Sequence, residues 1–230
     1  MIKAALFDLD DTLYDHQTFI EGAYRVVAED VASHLSLPAE DVFVHMWEKF
    51  TSRTTSDHTI FSQALQDYDH YSEDLENAMV DSYRTHSPDH LDSYEGIPEA
   101  LGRLKKKGIL LGLLSDGPST VQRNKLMALK ITTLFDTVVI TGDFGRDYYK
   151  PHPRGFEAAC TGLGLPEAEV IMIGDNPLTD IAGAQNMGMQ AIRIRSGRHA
   201  SQPVANDIPE FPTALEAVAF LETQLETQAI

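Results

Sequence analysis

Two aspartates two residues apart, Asp8 and Asp10, come first among the residues able to do chemistry, and Thr12 follows at the same spacing. Further along stand Ser115 in a Ser-Asp-Gly turn, Lys150 before Pro151, and Asp175 and Asp180 on either side of Pro177. Alternate side chains of an extended segment point the same way, so Asp8 and Asp10 can face one cleft while Leu9 faces the core. Two carboxylates about 4 Å apart repel by about 4 kcal/mol at an effective dielectric of about 20, so such a pair requires a cation, a shared proton or hydrogen bonds. Paired carboxylates, a hydroxyl, a lysine and a second acidic pair make up the set that metal-assisted attack on a phosphoryl group requires.

Taken singly, each residue has a plainer reading. Asp175 and Asp180 could cap the helix that Pro177 begins, Ser115 could cap the helix after it, and a lysine is most often exposed. The chemical readings are as specific. Ser115 and Gly117 allow a hydroxyl and successive backbone N–H groups to face a phosphate oxygen beside a helix start. Pro151 biases Lys150 toward an extended conformation. A lysine near two carboxylates keeps a nucleophile ionised and offsets charge on a transferred group. What favours chemistry is the order, because every one of these residues borders a short apolar run. The Asp8 segment lacks the glycine and distant glutamate of a calcium loop, and mixed carboxylate, carbonyl and water ligands favour Mg²⁺.

The elements that must position them are legible as alternating patterns. Apolar runs at 3–9, 109–114, 137–141, 170–173 and 190–194 read as strands buried on both faces. Helical patterns at 121–129, 153–163 and 177–187 lie between them. Strand alternating with helix predicts an α/β fold, a Rossmann-like parallel sheet with helices on both faces, joined by right-handed crossovers. In such sheets ligands bind at the carboxyl ends of the strands.

Residues 16–93 break the alternation. Phe19, Ile20, Ala23, Tyr24, Val27, Val31 and Leu35 recur at three- and four-residue steps, and amphipathic stretches follow at 42–50, 60–68 and 75–83. This segment reads as an inserted all-helical cap domain, leaving 1–15 and 94–230 as the catalytic core, with hinges at 14–17 and 93–98. Residues 196–212 contain three prolines and read as a loop with at most one short strand, before a closing helix at 213–225.

At 230 residues and 43% hydrophobic composition the chain can bury a large core. A formal net charge of −17 argues against nucleic acid or an anionic membrane as partner. It admits an anionic small substrate where a bound divalent cation reverses the local potential. With no leader pattern and no run of about 18 apolar residues, the chain is placed in the cytoplasm. The single cysteine, Cys160, falls among Phe156, Ala159 and Leu163 and reads as a buried inert thiol. Gly162-Leu-Gly164 lacks the third glycine and the preceding strand of a dinucleotide site. His16, His152 and His199 have no metal-ligand spacing; His16 and His152 could approach the cleft, with solvated loop residues as the plainer reading. Oligomeric state is left open.

With these residues assembled, the chain resembles the haloacid dehalogenase superfamily of hydrolases, in its phosphatase branch with a helical cap after the first strand. Asp8-Leu-Asp10-Asp-Thr12 is similar to the first motif, Ser115 to the second, Lys150 to the third, and Gly174-Asp175 through Asp180 to the fourth. The segments around Ser115, Lys150 and Asp175 look like those of N-acylneuraminate 9-phosphate phosphatases, pyrimidine nucleotidases and phosphoglycolate phosphatases. The resemblance implies that Asp8 attacks phosphorus and that Asp10 protonates the leaving oxygen and then activates water. It implies Mg²⁺ on Asp8, the backbone carbonyl of Asp10 and Asp175, with Thr12 and Asp180 supporting. Ser115, Asp116 and Lys150 would form the phosphate-binding set, and the substrate would be a small phosphorylated metabolite.

Relatives often carry asparagine where Asp116 stands, and a carboxylate there repels substrate unless it turns away or pairs with a cation. The family's dehalogenases lack an aspartate at the Asp10 position, which argues against carbon–halogen cleavage. A phosphomutase acting on a sugar phosphate and a non-catalytic relative that binds a phosphometabolite or a protein are the alternatives. Tyr24, Trp47, Arg53 and Arg84 are candidate cap contacts, with packing or solvent exposure as the plainer reading of each.

Overall fold

The computed structural model describes residues 1–52, 59–204 and 207–228. Two compact units divide it: Met1–His16 together with His90–Ile230, and Gln17–Asp89.

The first unit is built on a six-stranded sheet of order β3-β2-β1-β4-β5-β6, all neighbours parallel. Its strands are β1 (Ala4–Phe7), β2 (Leu110–Ser115), β3 (Thr137–Ile140), β4 (Val170–Gly174), β5 (Gln190–Ile194) and β6 (Glu210–Phe211). Every residue of β1 is buried, as a central strand covered on both faces demands. Ala4 and Leu6 point into a core with Leu114, Phe156, Ala159, Met172, Ile181 and Ala184. That core is closed by α7 (Pro153–Leu163) and α8 (Ala182–Asn186). The other face is covered by α5 (Ile97–Lys106) and α9 (Ala214–Gln228), while α6 (Ser119–Leu129) follows β2. This is the expected Rossmann-like architecture.

Register puts the chemistry in one place. Phe7 is level with Leu113 of β2 and Ile173 of β4. Asp8, Ser115 and Asp175 therefore leave three neighbouring strands at the same sheet edge, beside the position where strand order reverses.

Two local features depart from the expected pattern. Residues 97–106, of which the sequence reading assigned only 97 and 98, to a hinge, form α5; Gly96 takes φ 77° before it, and Ile97, Ala100, Leu101 and Leu104 make its buried stripe. The helix expected over 177–187 opens as a π-helical turn, Pro177–Ile181, before the short α8. The wider turn brings Asp180 back against β4, where its Oδ2 accepts from the Asn176 amide at 3.0 Å.

In the second unit, α1 (His16–Leu35), whose first residue belongs to the sheet unit, is followed by α2 (Ala39–Thr51), α3 (Ile60–Asp67) and α4 (Glu73–Thr85). Tyr24 is buried, with ring centroids 5.9 Å from Phe50, 5.6 Å from Phe61 and 6.2 Å from Tyr83. Trp47 packs on Phe43 and Phe50. Both aromatics thus serve packing within this unit, Arg84 is exposed, and Arg53 lies outside the described residues. No helix among the described residues is long and apolar enough to cross a membrane.

Candidate active site

Asp8 is the first residue past β1, and its amide donates to Ile173 O at 3.0 Å, continuing the ladder into the loop. Asp11 then takes φ 60°, a left-handed conformation that aspartate tolerates better than most residues. The turn brings Thr12 back, and its hydroxyl donates to Asp8 Oδ2 at 3.3 Å. The Lys150 ammonium donates to Asp8 Oδ1 at 2.6 Å, to Asp180 Oδ1 at 2.7 Å and to the Leu114 carbonyl at 3.2 Å. All of these side chains are buried.

Asp175 completes the group. Ligand oxygens of Asp8, Asp175 and Asp180 lie within 4.8 Å of one another. Burial pushes the Asp8 carboxyl up against the opposing pull of Lys150, with Asp180 and Asp10 adding to the rise. Burial also raises Asp175, reinforced by Asp180 and Asp8. For Lys150, burial works against the charge, yet Asp180, Asp8 and Asp116 outweigh it and hold the ammonium charged far beyond its ordinary range. Three buried carboxylates face one ammonium, and Asp175 Oδ2 is buried without a hydrogen-bond partner. An orphaned carboxylate oxygen in a site of net negative charge fits a hard divalent cation, so these residues suit the Mg²⁺ that the sequence resemblance implies. Gly174 makes the arrangement possible, because a Cβ there would lie 2.5 Å from Asp180 Oδ2.

Ser115 ends β2 and is buried, its Oγ accepting from the Gln122 side-chain amide. The Asp116 carboxylate accepts from the Thr141 hydroxyl at 2.7 Å and from the Lys150 backbone amide at 3.1 Å. The carboxylate expected among the phosphate contacts is instead committed to the loop that carries Lys150.

Asp10 lies apart from the carboxylate cluster. Lys125 Nζ sits 2.9 Å from its Oδ1 and 2.8 Å from its Oδ2; the Tyr14 hydroxyl donates to Oδ1 at 2.6 Å and Gln122 Nε2 to Oδ2 at 3.1 Å. Burial disfavours the Asp10 charge, but His16, Lys125 and Tyr14 together hold the carboxyl well below its usual range. His16 itself is pushed down to about 3 by burial and by Lys125, against Asp10. His16 Nε2 lies 3.2 Å from Lys125 Nζ, so this histidine belongs to the Asp10 network and is not the solvated loop residue the sequence suggested. His152 caps α7 by accepting from the Arg154 amide at 3.2 Å, and His199 meets Asn176 at 3.2 Å. Burial, with Glu167, pushes the Cys160 thiol up to about 11, consistent with an inert core residue.

A model of the haloacid dehalogenase-like hydrolases matches residues 5–194, a span that holds every one of these side chains except His199. The chain belongs to that family. A glyceraldehyde 3-phosphate phosphatase of Pyrococcus abyssi is 32% identical over 200 residues, covering 86% of this chain and 83% of its own. One from Methanopyrus kandleri is 31% identical and covers 92% of both chains. Among solved structures, a putative β-phosphoglucomutase from Thermotoga maritima aligns with a TM-score of 0.69 at 20% identity, over 96% of this chain and 99% of that one, a likeness of fold.

The sequence reading singled out Asp8, Asp10, Ser115, Lys150, Asp175 and Asp180, whereas Tyr14, Gln122, Lys125 and Thr141 were not singled out. Gln122 and Lys125 gave a faint signal. They share a face with the buried Val121, Leu126, Ala128 and Leu129 of α6, where a polar residue needs a partner.

Proposed function

We propose that this hydrolase is a Mg²⁺-dependent phosphomonoesterase for a small phosphorylated metabolite, acting through a phosphoryl group carried on Asp8. The observation that carries the reading is the group at the end of β1: Asp8 with Thr12 and Lys150 on its two oxygens and Asp175 and Asp180 beside it. Similarity to glyceraldehyde 3-phosphate phosphatases over most of both chains supports a phosphatase and favours short-chain phosphate esters as substrates.

In the first step a carboxylate oxygen of Asp8 attacks phosphorus in line with the leaving group. The bond from phosphorus to the leaving oxygen breaks, and that oxygen takes its proton from Asp10, whose carboxyl must first take one up against the pull of Lys125. In the second step a water oxygen attacks phosphorus while its proton passes to Asp10. The bond to Asp8 breaks, inorganic phosphate departs and the carboxylate is restored. Lys150 would keep Asp8 ionised and, with the Ser115 hydroxyl and the amides of the 115–117 turn, hold the phosphoryl oxygens. Mg²⁺ held by Asp8, the Asp10 carbonyl and Asp175, with Asp180 beside it, would offset charge on the transferred group. In this reading residues 16–93 are the inserted domain that selects the substrate.

Asp8→Asn tests the reading. Phosphate release from 4-nitrophenyl phosphate with Mg²⁺ should fall by at least about 10³-fold, while the circular dichroism spectrum stays that of the folded parent. Retained turnover would sink it. A panel of phosphorylated three-carbon acids and aldehydes, sugars and nucleotides would then identify the substrate.

A further inference from the structure

Asp10 is gripped by side chains outside the four segments that resemble family motifs. Lys125 Nζ reaches both of its oxygens, at 2.9 and 2.8 Å. Gln122 Nε2 donates to Asp10 Oδ2 at 3.1 Å and also to Ser115 Oγ. One side-chain amide therefore bridges the residue two past the nucleophile on the β1 loop and the hydroxyl at the end of β2. Gln122 and Lys125 are 1% and 2% exposed, so neither is a surface residue that drifted inward. They stand three apart on α6, which places both on one face, and α6 starts four residues after Ser115. Burying an ammonium and an amide is unfavourable without partners, and here the partners include two residues of the active site.

We infer that Lys125 and Gln122 are positioning residues for phosphoryl transfer. Lys125 fixes the orientation of the Asp10 carboxyl group, and Gln122 ties that group to Ser115. The proton-handling side chain and the phosphate-holding hydroxyl are thereby kept at a set separation. This inference rests on the proposed phosphatase reading, in which Asp10 moves the proton; both residues act through Asp10 and Ser115. A purely structural strut between α6 and β1 is the competing account, and the two differ in one consequence. A strut lowers turnover of every substrate by the same factor. Misplacing the proton donor hurts most where the departing oxygen is the stronger base.

The test compares kcat/KM for 4-nitrophenyl phosphate and unsubstituted phenyl phosphate, with Mg²⁺, in the parent protein and in Asp10→Asn, Lys125→Met and Gln122→Met. Phenolate is the poorer leaving group of two esters of similar shape. Partial unfolding of a variant divides out, because both rates come from the same folded fraction. Asp10→Asn should lower phenyl phosphate turnover far more than that of the nitrophenyl ester. Lys125→Met and Gln122→Met should shift the ratio in the same direction, by about tenfold or more. An unchanged ratio in either variant, alongside a shifted one in Asp10→Asn, overturns the inference. An unchanged ratio in Asp10→Asn itself, or no turnover of either ester by the parent protein, instead overturns the role of Asp10 and the inference with it.

Discussion

At the scale of single residues, Lys150 is the hub. Its ammonium lies within 2.7 Å of both Asp8 and Asp180, and all three side chains are buried. Removing one member of such a group leaves uncompensated charge in the interior, a change that typically destabilises by about 3–5 kcal/mol. Lys150→Met should therefore lower the unfolding free energy in urea, measured in EDTA, by about 3 kcal/mol, and should abolish phosphatase activity. Adding Asp8→Asn to that variant should recover part of the stability and none of the activity. A loss under about 1 kcal/mol would mean that water already screens the three groups. The residues of this hub were readable beforehand because each borders an apolar run, where a charged side chain has to be explained. Lys125 and Gln122 were not, since a lysine or glutamine inside a helical pattern reads as solvent-facing until the helix is docked. Asp116 was read as a phosphate contact because sequence gives its position beside Ser115 and not its direction. Its hydrogen bonds to Thr141 and the Lys150 amide give it a different task.

At the scale of elements, the alternation of apolar runs with helical stripes was sufficient for the parallel sheet, because strands covered on both faces must be apolar throughout. The helix α5 escaped notice because its apolar stripe, Ile97, Ala100, Leu101 and Leu104, is short and runs directly into Lys105, Lys106 and Lys107. The π-helical turn at Pro177–Ile181 was equally hidden, since widening a single turn leaves no mark in hydrophobic spacing. That turn places Asp180 so close to β4 that residue 174 has no room for a side chain. Gly174→Ala should consequently displace the Asp180 carboxylate or the strand end. The expected loss is about 1–3 kcal/mol of stability, with a fall in kcat that exceeds any change in KM. Thermal unfolding together with steady-state kinetics checks both. An alanine variant with parental kcat would show that Asp180 need not sit where it does.

At the scale of the whole molecule, the protein carries a net charge of −17 and gathers buried acids at one sheet edge. Without metal, burial and the neighbouring carboxylates raise the carboxyls of Asp8 and Asp175 well above the usual carboxylate range. The folded protein then retains protons that the unfolded chain releases near pH about 4. Because the folded state binds more protons across that window, unfolding free energy falls as pH rises toward those raised values. Protein stripped with EDTA should thus lose thermal stability between about pH 6 and about pH 8.5. Mg²⁺, which binds the ionised carboxylates, should restore more stability at the higher pH, by about 2.7 kcal/mol once it reaches about 100 times its Kd. A pH-independent midpoint in EDTA, or a Mg²⁺ effect that shrinks as pH rises, would contradict this picture of the carboxylate cluster.

The account turns on a covalent bond between phosphorus and one carboxylate, and the most direct test is to look for it. The Asp10→Asn variant, mixed with Mg²⁺ and a turned-over phosphate ester and quenched in acid, should yield a peptide that carries a phosphoryl group on Asp8 by mass spectrometry. Rapid phosphate release from the parent protein with no protein-bound phosphate at any quench time, in either protein, would point to direct attack by water and contradict the assignment of Asp8 as nucleophile.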